Sequence, residues 1–249
     1  MLLDVADKVA TVTINRPDKG NALAPGVLEE IIDVFAGVGE REDVNVVVLR
    51  GGERYFSAAF DLNEIRKLEN VSNEAYTALF HRAYRAILFC QPVIAAVGGP
   101  AIAGGFDLTM MCDIRYASSR AKFGQRKVVL ALTPVLDPLW RIIGLGRAKE
   151  VALTGRIYNA EEAERMGYVS RVYPEGELLA SVQAIATEMA GYDRMCLLET
   201  KRLSNQLLNL DLDGAMRTQE WLFHTYIGSQ ENHQRIDAQQ ARLAAERRK

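Results

Sequence analysis

Hydrophobic and polar positions alternate from Lys8 to Asn15, with Val9, Thr11 and Thr13 on one side and Ala10, Val12 and Ile14 on the other. That two-residue period predicts a strand. Val44 to Leu49 is an almost unbroken apolar run rich in β-branched side chains, the pattern of a strand covered on both faces. Between the two, Val27, Leu28, Ile31, Ile32 and Phe35 fall at helical spacing behind Pro25, which suits a first turn, so a helix is predicted from Pro25 through Phe35. The alternation of strand and helix then recurs. Ser72 can cap a helix with Ala75, Leu79, Ala83, Ile87 and Leu88 on one side; Pro92 ends it, and Val93 to Val97 is the next strand. A helix containing Asp107 and a strand from Ile114 to Ala117 follow.

Beyond about residue 144 the pattern turns helical. Segments Ala160 to Met166, Glu177 to Ala190, Cys196 to Leu208, Leu212 to Ile227 and Gln230 to Arg248 read as helices, with one short strand near Val169 to Tyr173. The fold class is therefore α/β, with a core over residues 1–190 and a C-terminal helical region over 191–249. The last helix is mostly polar with a thin apolar seam, which fits either a solvated terminal helix or one packed on a neighbouring subunit.

Composition narrows the class. The 249 residues suit one domain with a helical appendage, and a net charge of −2 supplies no field for nucleic acid or a membrane surface. The three cysteines, Cys90, Cys112 and Cys196, lie far apart in apolar contexts and read as reduced core thiols. His81, His224 and His233 show no metal spacing, so no metal is expected. Acids follow Met1 where a secretory signal would be basic, and no apolar run reaches about 18 residues, so a cytoplasmic location is expected.

The segment from Ala95 to Leu108 carries the candidate chemistry. An apolar strand enters Gly98-Gly99-Pro100, and Gly104-Gly105 opens an apolar helix with one acid, Asp107. A helix start leaves backbone N–H groups free, and glycine lets a ligand carbonyl approach them, as an oxyanion hole requires. Pro100 argues against a dinucleotide fingerprint, since it lacks the N–H that a phosphate would want.

Several ordered segments then carry a family resemblance: Asn15-Arg16-Pro17, Asn21-Ala22-Leu23, Tyr55 to Leu62, the glycine segment through Asp113-Ile114, Ala121 to Gln125, Leu153-Thr154-Gly155 and Ala160 to Ala163 with Gly167-Tyr168-Val169. Together they resemble the enoyl-CoA hydratase/isomerase, or crotonase, superfamily. The resemblance implies a crotonase-like spiral of repeated ββα units with a C-terminal helical trimerisation region, assembled as a homotrimer or dimer of trimers. It implies an acyl-CoA substrate, coenzyme A entering as part of the thioester with no permanently bound cofactor. The N–H groups of Phe60 and Gly104 would hold the thioester oxygen as an enolate forms. Coenzyme contacts would come from Asn21, Ala22, Leu23, Ala58, Asp61 and Leu62, with Arg16 and Lys19 facing the nucleotide phosphates.

The acid–base positions depart from the family. Hydratases resemble one another in two glutamates, at what are here Asp107 and Lys127. Asp107 is one methylene shorter than glutamate, and Lys127 is no carboxylate. Asp107 is expected to act as a base on the α- or γ-proton of the acyl chain, to position a substrate group or water, or to answer the helix dipole. Lys127 is expected on a water-facing loop, with a role against a substrate carboxylate as the alternative. Asp137, among apolar neighbours, is expected either to carry a raised pKa as a second catalytic acid or to cap the helix after it. Three functions stay open at this point: a hydratase or isomerase using Asp107, a decarboxylase or hydrolase using Lys127, and a non-catalytic acyl-CoA-binding relative.

Overall fold

The computed structural model of the chain describes residues 1–67 and 73–246, so the expected cap at Ser72 lies outside the described residues. It divides into two units, Met1–Tyr192 and Asp193–Lys249. The first carries the strands β1 (Leu2–Ala6), β2 (Val9–Thr13), β3 (Val46–Arg50), β4 (Val93–Val97), β5 (Ala101–Ile102), β6 (Ile114–Ser118), β7 (Lys122–Gly124), β8 (Tyr158–Asn159) and β9 (Arg171–Tyr173). Six of these form one sheet in the order β1-β2-β3-β4-β6-β9, parallel except for the β1–β2 hairpin. The other three form a small sheet, β5-β7-β8.

The apolar runs behave as their pattern requires. Every residue of β4 and all but the last of β3 are buried, because helices cover both faces. On one face Val47, Leu49, Val93, Ala95 and Val97 join a core with the helices α1 (Pro25–Gly39), α3 (Asn73–Leu88) and α4 (Gly104–Met111); α2 (Leu62–Ile65) is a single turn between the first two of them. On the other face lies α8 (Leu178–Ala190), packed over β2, β3, β4 and β6 and burying Leu178, Val182 and Ala186. The connecting helices are α5 (Leu139–Ile143), α6 (Leu145–Thr154) and α7 (Ala160–Arg165).

Several boundaries differ from the pattern-based expectation. β3 starts at Val46, because its pairing with β2 begins at Val9, just after the Asp7-Lys8 turn; the Asn45 side chain before it donates to the carbonyl of Ala190 at 2.8 Å. α1 continues to Gly39, carried by the burial of Val38 beyond Phe35. β1 has no alternation to announce it, since it is an edge strand with Leu2 and Leu3 exposed. It is fixed instead by the two-residue turn Asp7-Lys8, both at positive φ, a geometry whose twist matches the flanking strands.

The helix that matters most, α4, is buried along its whole length. Its C-terminal carbonyls need donors, and the buried Arg115 supplies them: Nη1 donates to Cys112 O at 2.7 Å and to Thr109 O at 3.4 Å, while Nε ties in Tyr168 O, just beyond α7, at 2.6 Å. The second unit comprises α9 (Arg194–Gln206), α10 (Leu212–Tyr226) and α11 (Gln230–Glu246). Asp193 and Asp211 cap α9 and α10, and α11 buries no residue. Cys196 on α9 is exposed, so the core reading holds for Cys90 and Cys112 alone. Arg115→Met should lower stability by about 3 kcal/mol, through orphaned buried carbonyls, and chemical denaturation will register it as an earlier midpoint.

Candidate active site

Three stretches of chain run side by side to form the site. Ala58 N–H donates to Gly20 O at 2.8 Å, Leu23 N–H to Ala59 O at 2.9 Å and Asp61 N–H to Leu23 O at 3.3 Å, tying 20–24 to 58–61. Phe56 and Ser57 N–H donate to Pro100 O, and Ile102 N–H donates to Ser57 O at 3.0 Å, tying 56–57 to 100–102. In the parallel bridge between Leu23 and Phe60 the ladder uses the residues flanking Phe60, so Phe60's own N–H points away from Leu23.

The other donor comes from α4. The helix's first internal bond is Asp107 N–H to Ala103 O at 2.9 Å, so the N–H groups of Gly104, Gly105 and Phe106 precede the ladder and have no acceptor within the helix. Both donors follow a strained alanine. Ala59 has φ 119° and Ala103 has φ 46° with ψ −107°, conformations that cost an alanine about 1–3 kcal/mol each. Strain of that kind persists only where surrounding bonds enforce it, and the ladder just described provides them. The glycines are required sterically too: a Cβ on Gly104 would lie 2.6 Å from the Phe60 ring, and one on Gly105 would lie 2.4 Å from Ser57 O.

A cavity of about 420 Å³ opens beside this construction, bordered by Phe60 and Ala103. Of the expected coenzyme residues, Ala22, Ala58, Asp61 and Leu62 line it. Asn21 and Leu23 do not. Asn21 is buried and spends its amide on the carbonyls of Tyr55 and Phe56, while the backbone N–H and carbonyl of Leu23 are used in pairing. Arg16 braces the same turn through Ala22 O at 3.0 Å and sits 3.9 Å from Asp61. Two cations face the cavity, Lys19 and Arg126.

Asp107 is fully buried. Its Oδ2 accepts from the Tyr84 hydroxyl at 2.7 Å and from Lys127 Nζ, and its Oδ1 accepts from Gln125 Nε2 at 2.6 Å. Lys127 is therefore no water-facing lysine: it is 4% exposed, drawn inward to the buried carboxylate that compensates its charge. Its Nζ also stands 5.0 Å from the centroid of the Phe60 ring, whose edge-on neighbour is Phe80. Burial, and then the charge of Asp107, push the Tyr84 phenol well above its ordinary pKa, so it remains a donor.

The remaining candidates fall outside this cluster. Asp137 is 56% exposed and accepts from Arg141 at 2.7 and 3.0 Å, a pairing that holds its carboxyl below the usual range. The raised pKa expected for it is thus corrected, and so is the cap, because Pro138 precedes α5 and no side chain caps that helix. His81 is exposed on α3. Among the described residues no group of three or more His, Cys, Asp or Glu could hold a metal. Tyr84 and Gln125 are the members that sequence reasoning missed. A hydroxyl on the buried stripe of α3, four residues after Phe80 and three before Ile87, was the available signal for Tyr84.

Comparison with known proteins agrees with this architecture. The family model described as "Enoyl-CoA hydratase/isomerase" matches residues 4–249. The chain is 35% identical to the short-chain-enoyl-CoA hydratase of Clostridium acetobutylicum over 87% of this chain and 85% of that one. With the crotonyl-CoA hydratase of Syntrophomonas wolfei the identity is 34% over 96% and 94%. The crystal structure of an enoyl-CoA hydratase from Bacillus anthracis superposes with a TM-score of 0.93 at 28% identity, over 97% of this chain and 96% of that one.

The contact between Gly104 and Phe60 is open to a double-mutant cycle. Gly104→Ala should cost about 2 kcal/mol in the native background and less than about 1 kcal/mol when Phe60 is already alanine, measured by denaturant unfolding of the four proteins.

Proposed function

Because this chain belongs to the enoyl-CoA hydratase/isomerase family, matched from residue 4 to residue 249, we propose that it converts an acyl-CoA thioester through an enolate held by the N–H groups of Phe60 and Gly104. Its fold is that of the crotonase-type hydratases, a spiral α/β core with helices at its C-terminal end. The observation that carries the proposal is the pair of strained alanines, Ala59 and Ala103, each immediately before one of the two donors beside the cavity. Strain gathered on both sides of one cavity supports a ligand oxygen as its purpose. Each such donor, preorganised in a dry site, contributes about 3 kcal/mol to a developing oxyanion.

The thioester's coenzyme portion is assigned to the cavity bordered by Ala22, Ala58, Asp61 and Leu62, with Lys19 and Arg126 as the cations for its phosphates. Proton transfer at the α-carbon is assigned to Asp107 together with Lys127, the titratable groups buried against the Phe60 ring and the first turn of α4. Ordinary two-carboxylate hydration is not favoured, since Lys127, at the position where the family resemblance implies the second glutamate, is an ammonium paired with Asp107.

A homotrimer or dimer of trimers is proposed for the assembly. On the second unit Leu212 is 81% exposed, Trp221 65% and Phe223 67%, an apolar surface that contact between copies would cover. A cytoplasmic location is proposed with it; no helix among the described residues is long and apolar enough to cross a membrane.

The test is exchange of α-protons in D2O, which reports enolate formation whatever the later chemistry. Butyryl-CoA should exchange its α-protons with the wild-type chain, and Asp107→Asn should slow the exchange by about 100-fold or more while coenzyme binding persists. Arg126→Ala should raise KM about tenfold with kcat nearly constant, since its contact is made equally in ground and transition states.

A further inference from the structure

Along α3, Tyr76, Phe80 and Tyr84 recur every four residues and so lie on one face of the helix. Their rings sit in sequence, Tyr76 edge-on to Phe80 at 5.0 Å between centroids and Phe80 tilted against Tyr84 at 5.9 Å. The two outer rings are tied down by their hydroxyls, Tyr76 donating to Leu23 O at 3.2 Å and Tyr84 to Asp107 Oδ2 at 2.7 Å. Phe80 between them is buried, and it meets the Phe60 ring edge-on at 4.6 Å. Phe60 is held from two further sides, by Lys127 Nζ 5.0 Å from its centroid and by Gly104, where even a Cβ would lie 2.6 Å from the ring. The same ring borders the cavity.

Granted the enolate site proposed above, we infer that the Phe60 ring, backed by Phe80, sets the upper limit on the acyl group and confines this chain to thioesters of short acyl chains. A thioester carbonyl carbon is trigonal, so the sulfur and the α-carbon diverge from it. The sulfur lies on the cavity side, where the coenzyme is assigned, and the oxygen lies between the N–H groups of Phe60 and Gly104. The acyl chain therefore leaves on the side away from the cavity, against the ring that belongs to one donor and covers the other. Its first carbons lie at the hole itself. A longer tail needs the room that the ring fills, and the ring cannot yield without parting from Phe80, which Tyr76 and Tyr84 hold in turn. A close-packed wall of that kind refuses extra methylenes steeply rather than gradually. This role of the ring is separate from the main-chain role of Phe60, since another residue at the position would still supply the N–H.

Exchange of α-protons in D2O is to be measured on the full chain with acetyl-CoA, butyryl-CoA and octanoyl-CoA. Acetyl-CoA and butyryl-CoA should exchange, and octanoyl-CoA should do so at least about 100-fold more slowly in kcat/KM. Phe60→Ala and Phe80→Ala should each raise the octanoyl-to-butyryl ratio by about tenfold or more, and Phe60→Leu by less, since leucine returns part of the lost volume. The ratio is the readout because a merely structural loss slows every thioester alike and leaves it where it was. A wild-type chain that exchanges octanoyl-CoA as fast as butyryl-CoA overturns the inference and leaves the enolate site standing. A ratio unmoved in every variant that still binds coenzyme A, followed by calorimetric titration, overturns the role of the ring. Absence of exchange with all three thioesters defeats the enolate site itself, and the inference with it.

Discussion

A carboxylate placed at full burial in the first turn of a helix must be compensated or the helix cannot sit there. Asp107 is such a group, and its compensation comes from three directions: Lys127 from the 3₁₀ turn Arg126–Leu130, Gln125 from the end of β7, and Tyr84 from α3. Losing one partner of a buried ion pair costs about 3–5 kcal/mol, more than most single contacts in a domain. The packing of α3, α4 and the 125–130 segment therefore depends on one another through a single side chain. The same arrangement brings a cation against the Phe60 ring and so against the start of α4, where the candidate oxyanion donors lie. Stability and chemistry share one interaction here.

The backbone makes the complementary contribution. Two alanines are held at positive φ where glycine would be relaxed, and each orients the peptide that follows it. The bonds that hold them come from non-local pairing of three loop segments, 20–24, 56–61 and 100–104, which also seat Gly105 against Ser57 O. Neither donor depends on a side chain, so the large ring of Phe60 is compatible with its N–H serving the site. What the ring does is limit space: it borders the cavity and lies 5.0 Å from Lys127 Nζ.

The parts legible in the sequence are those whose signal is local. Val46 to Val48 and Val93 to Val97 announce buried parallel strands because both faces are covered, and Gly104-Gly105 announces a close approach because no Cβ fits there. β1 and the small β5-β7-β8 sheet were not visible, being edge or two- to three-residue pairings set by partners far along the chain. Lys127 shows the limit most clearly. Within Gln125-Arg126-Lys127-Val128-Val129 it looks like a surface lysine, and only the fold reveals a carboxylate twenty residues earlier waiting for it. Asp137 fails in the opposite sense: its apolar neighbours suggested burial, but Arg141, one helical turn on, keeps it at the surface as an ordinary ion pair.

The central claim is that the N–H groups of Phe60 and Gly104 polarise a thioester carbonyl. Isotope-edited infrared difference spectroscopy of an acyl-CoA labelled with carbon-13 at that carbonyl measures this directly. Two donors on the oxygen should move its stretching band to distinctly lower frequency on binding, and the shift should collapse in Gly104→Ala, where the Phe60 ring is displaced. A band left at the frequency of the free thioester, with the ligand demonstrably bound, would contradict the account.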